Sequence, residues 1–186
     1  MAKTLTSAKA GTVERRAARE VRAVGRRLQG YAAVFDQETR IGGMTEVVRR
    51  GAFAETLRDN GDVLALADHD PSRVLARTRS GSLRLSEDDR GLGFSIDVPD
   101  TQAGRDMLAL AERDDLGGMS FGFRVRPNGE TRDGQRRELR AVDLVEVSVV
   151  SAWPAYAETE VSARARQGEP ARLQRARMYL ETVKCP

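Results

Sequence analysis

Residues 73–98 contain three short segments in which apolar and polar residues alternate, and this pattern most constrains the fold. The segments are 74–78, 82–86 and 91–98. Alternation with a period of two places apolar side chains on one face of a strand, whereas an amphipathic helix needs a period of about 3.6. Ser80-Gly81 and the run 87–91 between the segments supply turn residues. The sequence therefore predicts an antiparallel meander here.

Segments before and after the meander extend the β pattern. Extended structure is predicted for residues 27–35, 47–48, 62–67, 121–126 and 137–150 from their apolar, β-branched or alternating composition. The hydrophilic residues 127–135 are predicted to form a loop or hairpin tip. Two helices are predicted, at 51–61 and at 99–116, the second capped by Asp100 or Thr101 and stopped by Gly117-Gly118. These segments indicate an α+β protein that is mainly β.

Charge is concentrated near the two ends of the chain. Charged residues make up 32% of the sequence and aromatic residues 5%, and the net charge is +3. We expect a flexible basic leader over residues 1–25, a folded domain over 26–162 and a basic, helical tail over 163–186. Surfaces that bind single-stranded nucleic acid combine basic and aromatic side chains. The basic segments of this chain lack such interleaved aromatic residues, which disfavours a nucleic-acid partner.

The cysteine and histidine content excludes several kinds of site. Cys185 is the sole cysteine, so an internal disulfide is excluded, and no Cys, His or carboxylate cluster has metal-ligand spacing. No apolar run approaches the roughly 18 residues of a membrane span. We therefore expect no metal, no cofactor and no membrane partner, and a protein of a reducing compartment.

A serine lies in an unusual setting at residues 117–123, GGMSFGF. Ser120 follows two glycines and a predicted helix, at the start of a strand-like run. A small residue filling a strand position is the alternative interpretation. The chain has one histidine, His69, at the exit of the predicted strand 62–67. If an imidazole of this chain activates Ser120, it is therefore that of His69.

A third residue completes a candidate catalytic set. Glu146 interrupts an apolar strand: its carboxylate could point outward at no cost, but if the strand is covered on both faces it needs a partner. In a Ser/His/acid arrangement the acid orients the imidazole, which accepts the serine proton. Four other carboxylates remain open for this role: Asp68, Asp70, Asp143 and Glu158. The oxyanion donors are left open between the amide of Phe121 and the amides of residues 151–153.

Six segments in order give the chain a family resemblance. They are GYAAVF (30–35), GAF (51–53), HD (69–70), MSFGF (119–123), LVEVSVV (144–150) and PAY (154–156). In this order they resemble the prohead maturation serine proteases of tailed bacteriophages, over roughly residues 26–162. Ser120 matches the nucleophile segment of the family, His69 its histidine segment, and Glu146 the acidic position of the LVEVSVV segment.

The resemblance implies a fold and a function. The implied fold is a herpesvirus-assemblin-like antiparallel β-barrel, closed or partly open, flanked by a few helices. The implied function is a serine endopeptidase that cleaves scaffold protein, or the scaffolding segment of the major capsid protein, and also itself. It would act inside the assembling procapsid in the host bacterial cytoplasm, and a homo-oligomer is left open. The alternative is a catalytically inactive β-barrel module that binds scaffold during capsid assembly.

Overall fold

The computed structural model describes residues 12–18, 20–59 and 61–152, which belong to one compact unit. Within them the chain forms mostly strands. The strands are β1 (Glu14–Ala18), β2 (Glu20–Val24), β3 (Arg27–Val34), β4 (Glu38–Ile41), β5 (Met44–Val48), β6 (Leu64–Ala67), β7 (Asp70–Arg77), β8 (Leu83–Glu87), β9 (Gly91–Asp97), β10 (Gly118–Val125), β11 (Glu130–Asp133), β12 (Arg136–Leu139) and β13 (Val142–Val150). The helices are α1 (Ala54–Arg58) and α2 (Gln102–Glu112).

The described strands form three sheets. A five-stranded sheet has the order β1-β10-β13-β6-β7, and two four-stranded sheets have the orders β11-β12-β5-β4 and β2-β3-β9-β8. Neighbours are antiparallel except β13–β6 and β12–β5. The predicted class, mainly β with a few helices, is confirmed. None of the three sheets closes on itself within the described part of the chain, so the barrel stays a prediction.

The predicted meander over residues 73–98 is confirmed for its second and third segments, which pair antiparallel, and is wrong for the first. Each of its three segments is a strand, but β7 pairs with β6 in the five-stranded sheet, whereas β8 and β9 pair in another. The side chain of Thr78 accepts a hydrogen bond from Val63 N and donates one to Gly61 O, both at 2.9 Å. These bonds fix the end of the β6–β7 hairpin. A short 3-10 turn and Gly81, at φ 74°, then redirect the chain to the second sheet.

The prediction of a flexible leader that extends to residue 25 is also wrong, because β1 and β2 lie within it. The side chain of Arg16 explains the difference. Arg16 is 9% exposed, forms an ion pair with the buried Glu46 of β5, and lies over the Phe123 ring at 5.2 Å from its centroid. Arg16, which the sequence predicts to be exposed in a flexible leader, is therefore buried and paired with a carboxylate inside the domain. The predicted domain end at 162 and the tail at 163–186 lie outside the described residues.

Three local predictions need smaller corrections. Helix α2 begins after its Thr101 cap as expected, but it ends at Glu112, before Asp114 at φ 58°. Strand β11 occupies part of the predicted loop or hairpin tip 127–135 and pairs with β12. The predicted strand 137–150 is two strands, β12 and β13.

The apolar core lies on one face of β10. Phe121 and Phe123 of this strand are 2% and 0% exposed. The two rings lie 5.4 Å apart, and Phe121 meets Phe53 edge-on at 5.4 Å. Because side chains alternate along a strand, Ser120 and Gly122 point away from these rings. The packing of β10 therefore fixes the direction of Ser120.

Candidate active site

His69 lies in a two-residue turn between β6 and β7. Ala67 pairs with Asp70, and both turn residues have left-handed backbones, Asp68 at φ 54° and His69 at φ 60°. A two-residue hairpin turn with positive φ at both positions favours Asn-Gly or Asp-Gly. A histidine therefore occupies the place where glycine is most favourable. Such local strain is typical of functional sites.

Asp68 holds this turn against the end of β13. Its Oδ1 accepts hydrogen bonds from the amide and the hydroxyl of Ser151, both at 2.7 Å, and its Oδ2 accepts one from Arg73 at 2.8 Å. The Asp68 amide also donates to Val149 O at 2.9 Å. Burial alone would raise the pKa of Asp68, but the bonds from Ser151 and Arg73 lower it below the ordinary value. The backbone of His69 is thereby anchored.

Glu146 contacts the His69 ring. The distance from His69 Nδ1 to Glu146 Oε1 is 2.8 Å. Arg15 Nε donates to the same oxygen at 3.0 Å, and Ser148 Oγ donates to Oε2 at 2.8 Å. Burial alone would raise the pKa of Glu146, which is 4% exposed, but the bonds from His69, Ser148 and Arg15 lower it to about 2. Glu146 is therefore a carboxylate at neutral pH, and it holds the ring by one nitrogen.

Ser120 is the third residue of β10 and has a strand on each side. Its partner in β1 is Ala17, and its partner in β13 is Ser148, two residues from Glu146. The Ser120 side chain is fully buried, and within the part of the chain that the structure describes neither its Oγ nor His69 Nε2 has a hydrogen-bond partner. Buried polar atoms are seldom left unpaired. The Ser120 hydroxyl, a proton donor, and His69 Nε2, a proton acceptor, are thus both left without a described partner.

The structure separates the candidate acids. Asp70 bonds to Ser72, and Asp143 pairs with Arg126, so neither is engaged with the ring. Glu158 lies outside the described residues. Glu146 is the predicted acid that contacts His69. One candidate oxyanion donor, the amide of Ser151, already donates to Asp68.

Three residues around Glu146 were not predicted from the sequence: Arg15, Gly122 and Ser148. Gly122 lies between Arg15 and Glu146 across the sheet, and a Cβ built on it would lie 2.8 Å from Glu146 Cγ and 2.9 Å from Oε1. The glycine therefore leaves the space that the carboxylate fills. Ser148 had a signal in the sequence, because it follows Glu146 by two and shares its face. Arg15 had none.

The described residues contain no cluster of three His, Cys, Asp or Glu side chains able to hold a metal ion. No helix among them has the length and apolarity to cross a bilayer.

The mainly β fold brings a histidine–glutamate pair and a buried serine to one sheet, and these are the residue types that serine hydrolases use. The family model described as caudovirus prohead serine protease matches residues 12–174, and the chain belongs to this family. Among solved structures it is similar to the bacteriophage T4 capsid assembly protease, with a TM-score of 0.50 and 10% identity over 76% of this chain and 97% of that one. At this identity the likeness shows the fold alone. No curated protein matches the chain significantly.

Proposed function

We propose that this protein is a serine endopeptidase of capsid maturation in which Ser120 is the nucleophile, His69 the general base and Glu146 the acid that orients the base. One observation carries the proposal. Glu146 holds His69 Nδ1 at 2.8 Å, while the other ring nitrogen and the Ser120 hydroxyl are buried and have no partner among the described residues. The family supplies the class of reaction, and these three residues supply the groups that it needs.

The chemical steps follow from the roles of the three side chains. Ser120 Oγ attacks the carbonyl carbon of the peptide, and its proton passes to His69 Nε2. The Glu146 carboxylate stabilises the imidazolium that forms. The imidazolium returns the proton to the leaving amine, the C–N bond breaks, and an ester joins the acyl group to Ser120. A water molecule, deprotonated by His69, then cleaves the ester and restores the hydroxyl.

The burial of Ser120 sets a requirement on this reaction. In the structure its hydroxyl makes no hydrogen bond to His69, and its side chain is 0% exposed. Catalytic hydrogen bonds often tighten only when substrate binds, so substrate has to reach the face of β10 that carries Ser120 and bring the two groups within about 3 Å. The same burial favours the second candidate function, a scaffold-binding module that keeps the fold without the reaction.

The substrate is proposed from the family. A prohead protease acts during capsid assembly, so we propose the major capsid protein or a scaffold protein as substrate, and the chain itself as a second one. The place of action would be the assembling procapsid in the bacterial cytoplasm. We also propose that the sheets form the closed or partly open β-barrel that the family resemblance implies.

Co-expression with the major capsid protein of the same source tests the proposal. We expect the native protein to shorten that capsid protein, or its scaffold, on a denaturing gel, and Ser120→Ala to leave both at full length. Ser95→Ala is the matched control, because it removes a hydroxyl from a strand of another sheet. Shortening by Ser120→Ala equal to that by the native protein would remove the proposal. Binding of scaffold with no shortening by any form would support the module instead.

A further inference from the structure

Arg15 reaches the candidate site from the first strand of the domain. In the register of the five-stranded sheet, Gly122 pairs with Arg15 on one side and with Glu146 on the other. With no side chain on Gly122, the guanidinium passes over β10 and donates from Nε to Glu146 Oε1 at 3.0 Å. An N-terminal strand thus places a permanent cation on the carboxylate that holds His69.

The neighbour of Arg15 fixes the position of this strand. Arg16 points to the opposite face of β1, where it binds Glu46 and Glu14. Glu46 and Glu14 are also bound by the buried Arg137 of β12, at 3.0 and 2.5 Å. Because this ion cluster anchors β1 from one face, Arg15 on the other face has its backbone already in place. The contact of Arg15 with Glu146 therefore loses mainly the conformational entropy of one side chain.

Two nitrogen-bearing side chains then share one carboxylate oxygen. Glu146 Oε1 accepts from Arg15, which is always charged, and contacts His69 Nδ1, whose ring is charged only when protonated. The attraction of Glu146 favours the protonated ring, and the nearby guanidinium opposes it. A base for serine must be unprotonated to work.

We propose that Arg15 is a positioning residue for the Glu146–His69 pair. Arg15 fixes the Glu146 carboxylate, and its charge keeps the His69 ring unprotonated to a lower pH than Glu146 alone would allow. The consequence for catalysis rests on the function proposed above. The electrostatic effect on His69 does not, because it depends only on the contacts of the folded chain.

Among the described residues, the charged neighbours of His69 in the turn and in β7 already have partners. Asp68 is paired with Arg73 at 2.8 Å and accepts from Ser151. Asp70 accepts from both the amide and the hydroxyl of Ser72, at 2.8 and 2.7 Å. Ser148 contacts Glu146 but carries no charge. Removal of Arg15 therefore changes the charge at Glu146 without releasing another charge of the turn or of β7.

The single histidine of the chain makes a direct test available. Protein labelled with ¹³C in the histidine ring gives one imidazole signal, that of His69, if no tag adds another. Its titration by NMR is compared among the native full chain, Arg15→Met, Arg15→Lys and Arg84→Met. Arg15→Met keeps the apolar stem and removes the charge. Arg84→Met removes an equal charge from β8, where Arg84 pairs with Asp97.

We expect the titration midpoint of the His69 ring to lie about 0.5 to 1 pH unit higher in Arg15→Met than in the native protein. Arg15 is half exposed, so solvent screens its charge and the shift is smaller than a buried charge would give. Arg15→Lys should stay within about 0.3 of the native midpoint, because it keeps the charge. Added salt should reduce the difference between the native protein and Arg15→Met. An unchanged midpoint in Arg15→Met, or an equal shift in Arg84→Met, would overturn the inference.

The activity of the same variants separates this inference from the proposed function. In an active enzyme, the acid limb of kcat/KM against pH should move upward in Arg15→Met by the same amount as the NMR midpoint. If the midpoint shifts while no form cleaves any capsid or scaffold protein, the electrostatic role stands and the proposed function fails. If cleavage depends on Ser120 but neither the midpoint nor the acid limb moves, the proposed function stands and the role of Arg15 fails.

Discussion

Substitution of Gly122 by alanine tests whether the position of the Glu146 carboxylate controls the site. The added Cβ would lie 2.8 Å from Glu146 Cγ and 2.9 Å from Oε1. Non-bonded carbon atoms rest at about 3.5 to 4.0 Å, so the side chain has to retreat by roughly 0.7 Å or more. The contacts of Oε1 with His69 and Arg15, now 2.8 and 3.0 Å, cannot both survive a shift of that size away from β10.

The expected losses in Gly122→Ala differ for activity and for stability. A displacement near 1 Å in a catalytic group costs on the order of 100-fold in rate, so we expect kcat/KM to fall by about that factor. Crowding a packed site costs about 1 to 3 kcal/mol, and the better strand propensity of alanine offsets part of it. Activity should therefore fall far more than stability.

Gly93→Ala is the matched control for this substitution. Gly93 lies within β9, and a Cβ built there would meet its nearest atom, Ser86 O, at 3.5 Å, which is an ordinary contact. Cleavage of a capsid or scaffold substrate and urea unfolding are measured for the native protein and both variants. Native kcat/KM in Gly122→Ala would refute the reasoning, and so would an equal loss in Gly93→Ala.

Three further predictions concern stability, each measured by urea unfolding. Arg137→Met should lower the free energy of unfolding by about 3 to 5 kcal/mol because it leaves Glu14 and the buried Glu46 to share Arg16, and a loss under 1 kcal/mol would contradict this. Thr56→Val should cost about 2 kcal/mol, because the Thr56 hydroxyl donates to Val142 O at 2.8 Å and accepts from a β13 amide at 3.0 Å, and an unchanged midpoint would contradict it. The folded pKa of Glu146, about 2, lies below the unfolded value, so its contribution is present above about pH 4.5 and is lost as the pH falls toward 2. Glu146→Gln should accordingly show a weaker loss of stability from pH 5 to pH 3 than the native protein, and an equal slope would argue against this contribution.

The sequence singled out the candidate site residues more readily than it indicated their surroundings. Ser120 and His69 stood out because one lies among glycines and the other is the sole imidazole. Glu146 stood out because a carboxylate in an apolar strand needs a partner, and the structure supplies three. The position of His69 at the end of strand 62–67 was expected, but its left-handed backbone was not, because such a turn favours glycine at its second position.

The N-terminal strand shows why the rest could not be predicted. β1 has the sequence ERRAA, which offers no large apolar side chain to an alternation rule. It is held instead by ion pairs with Glu46, 30 residues after Arg16, and with Arg137, 123 residues after Glu14. Partners so far apart leave no local pattern in the sequence. The role of Arg15 at Glu146 follows from the position of this strand and was missed with it.

Covalent labelling of the folded protein tests the central claim, that His69 activates Ser120. The full chain is treated with a serine-reactive fluorophosphonate, and the modified residue is located by peptide mass spectrometry. We predict an adduct on Ser120 in the native protein, its loss in His69→Ala, and a slower reaction in Glu146→Gln. An adduct on Ser148 instead, or labelling of Ser120 at the native rate in His69→Ala, would contradict the claim.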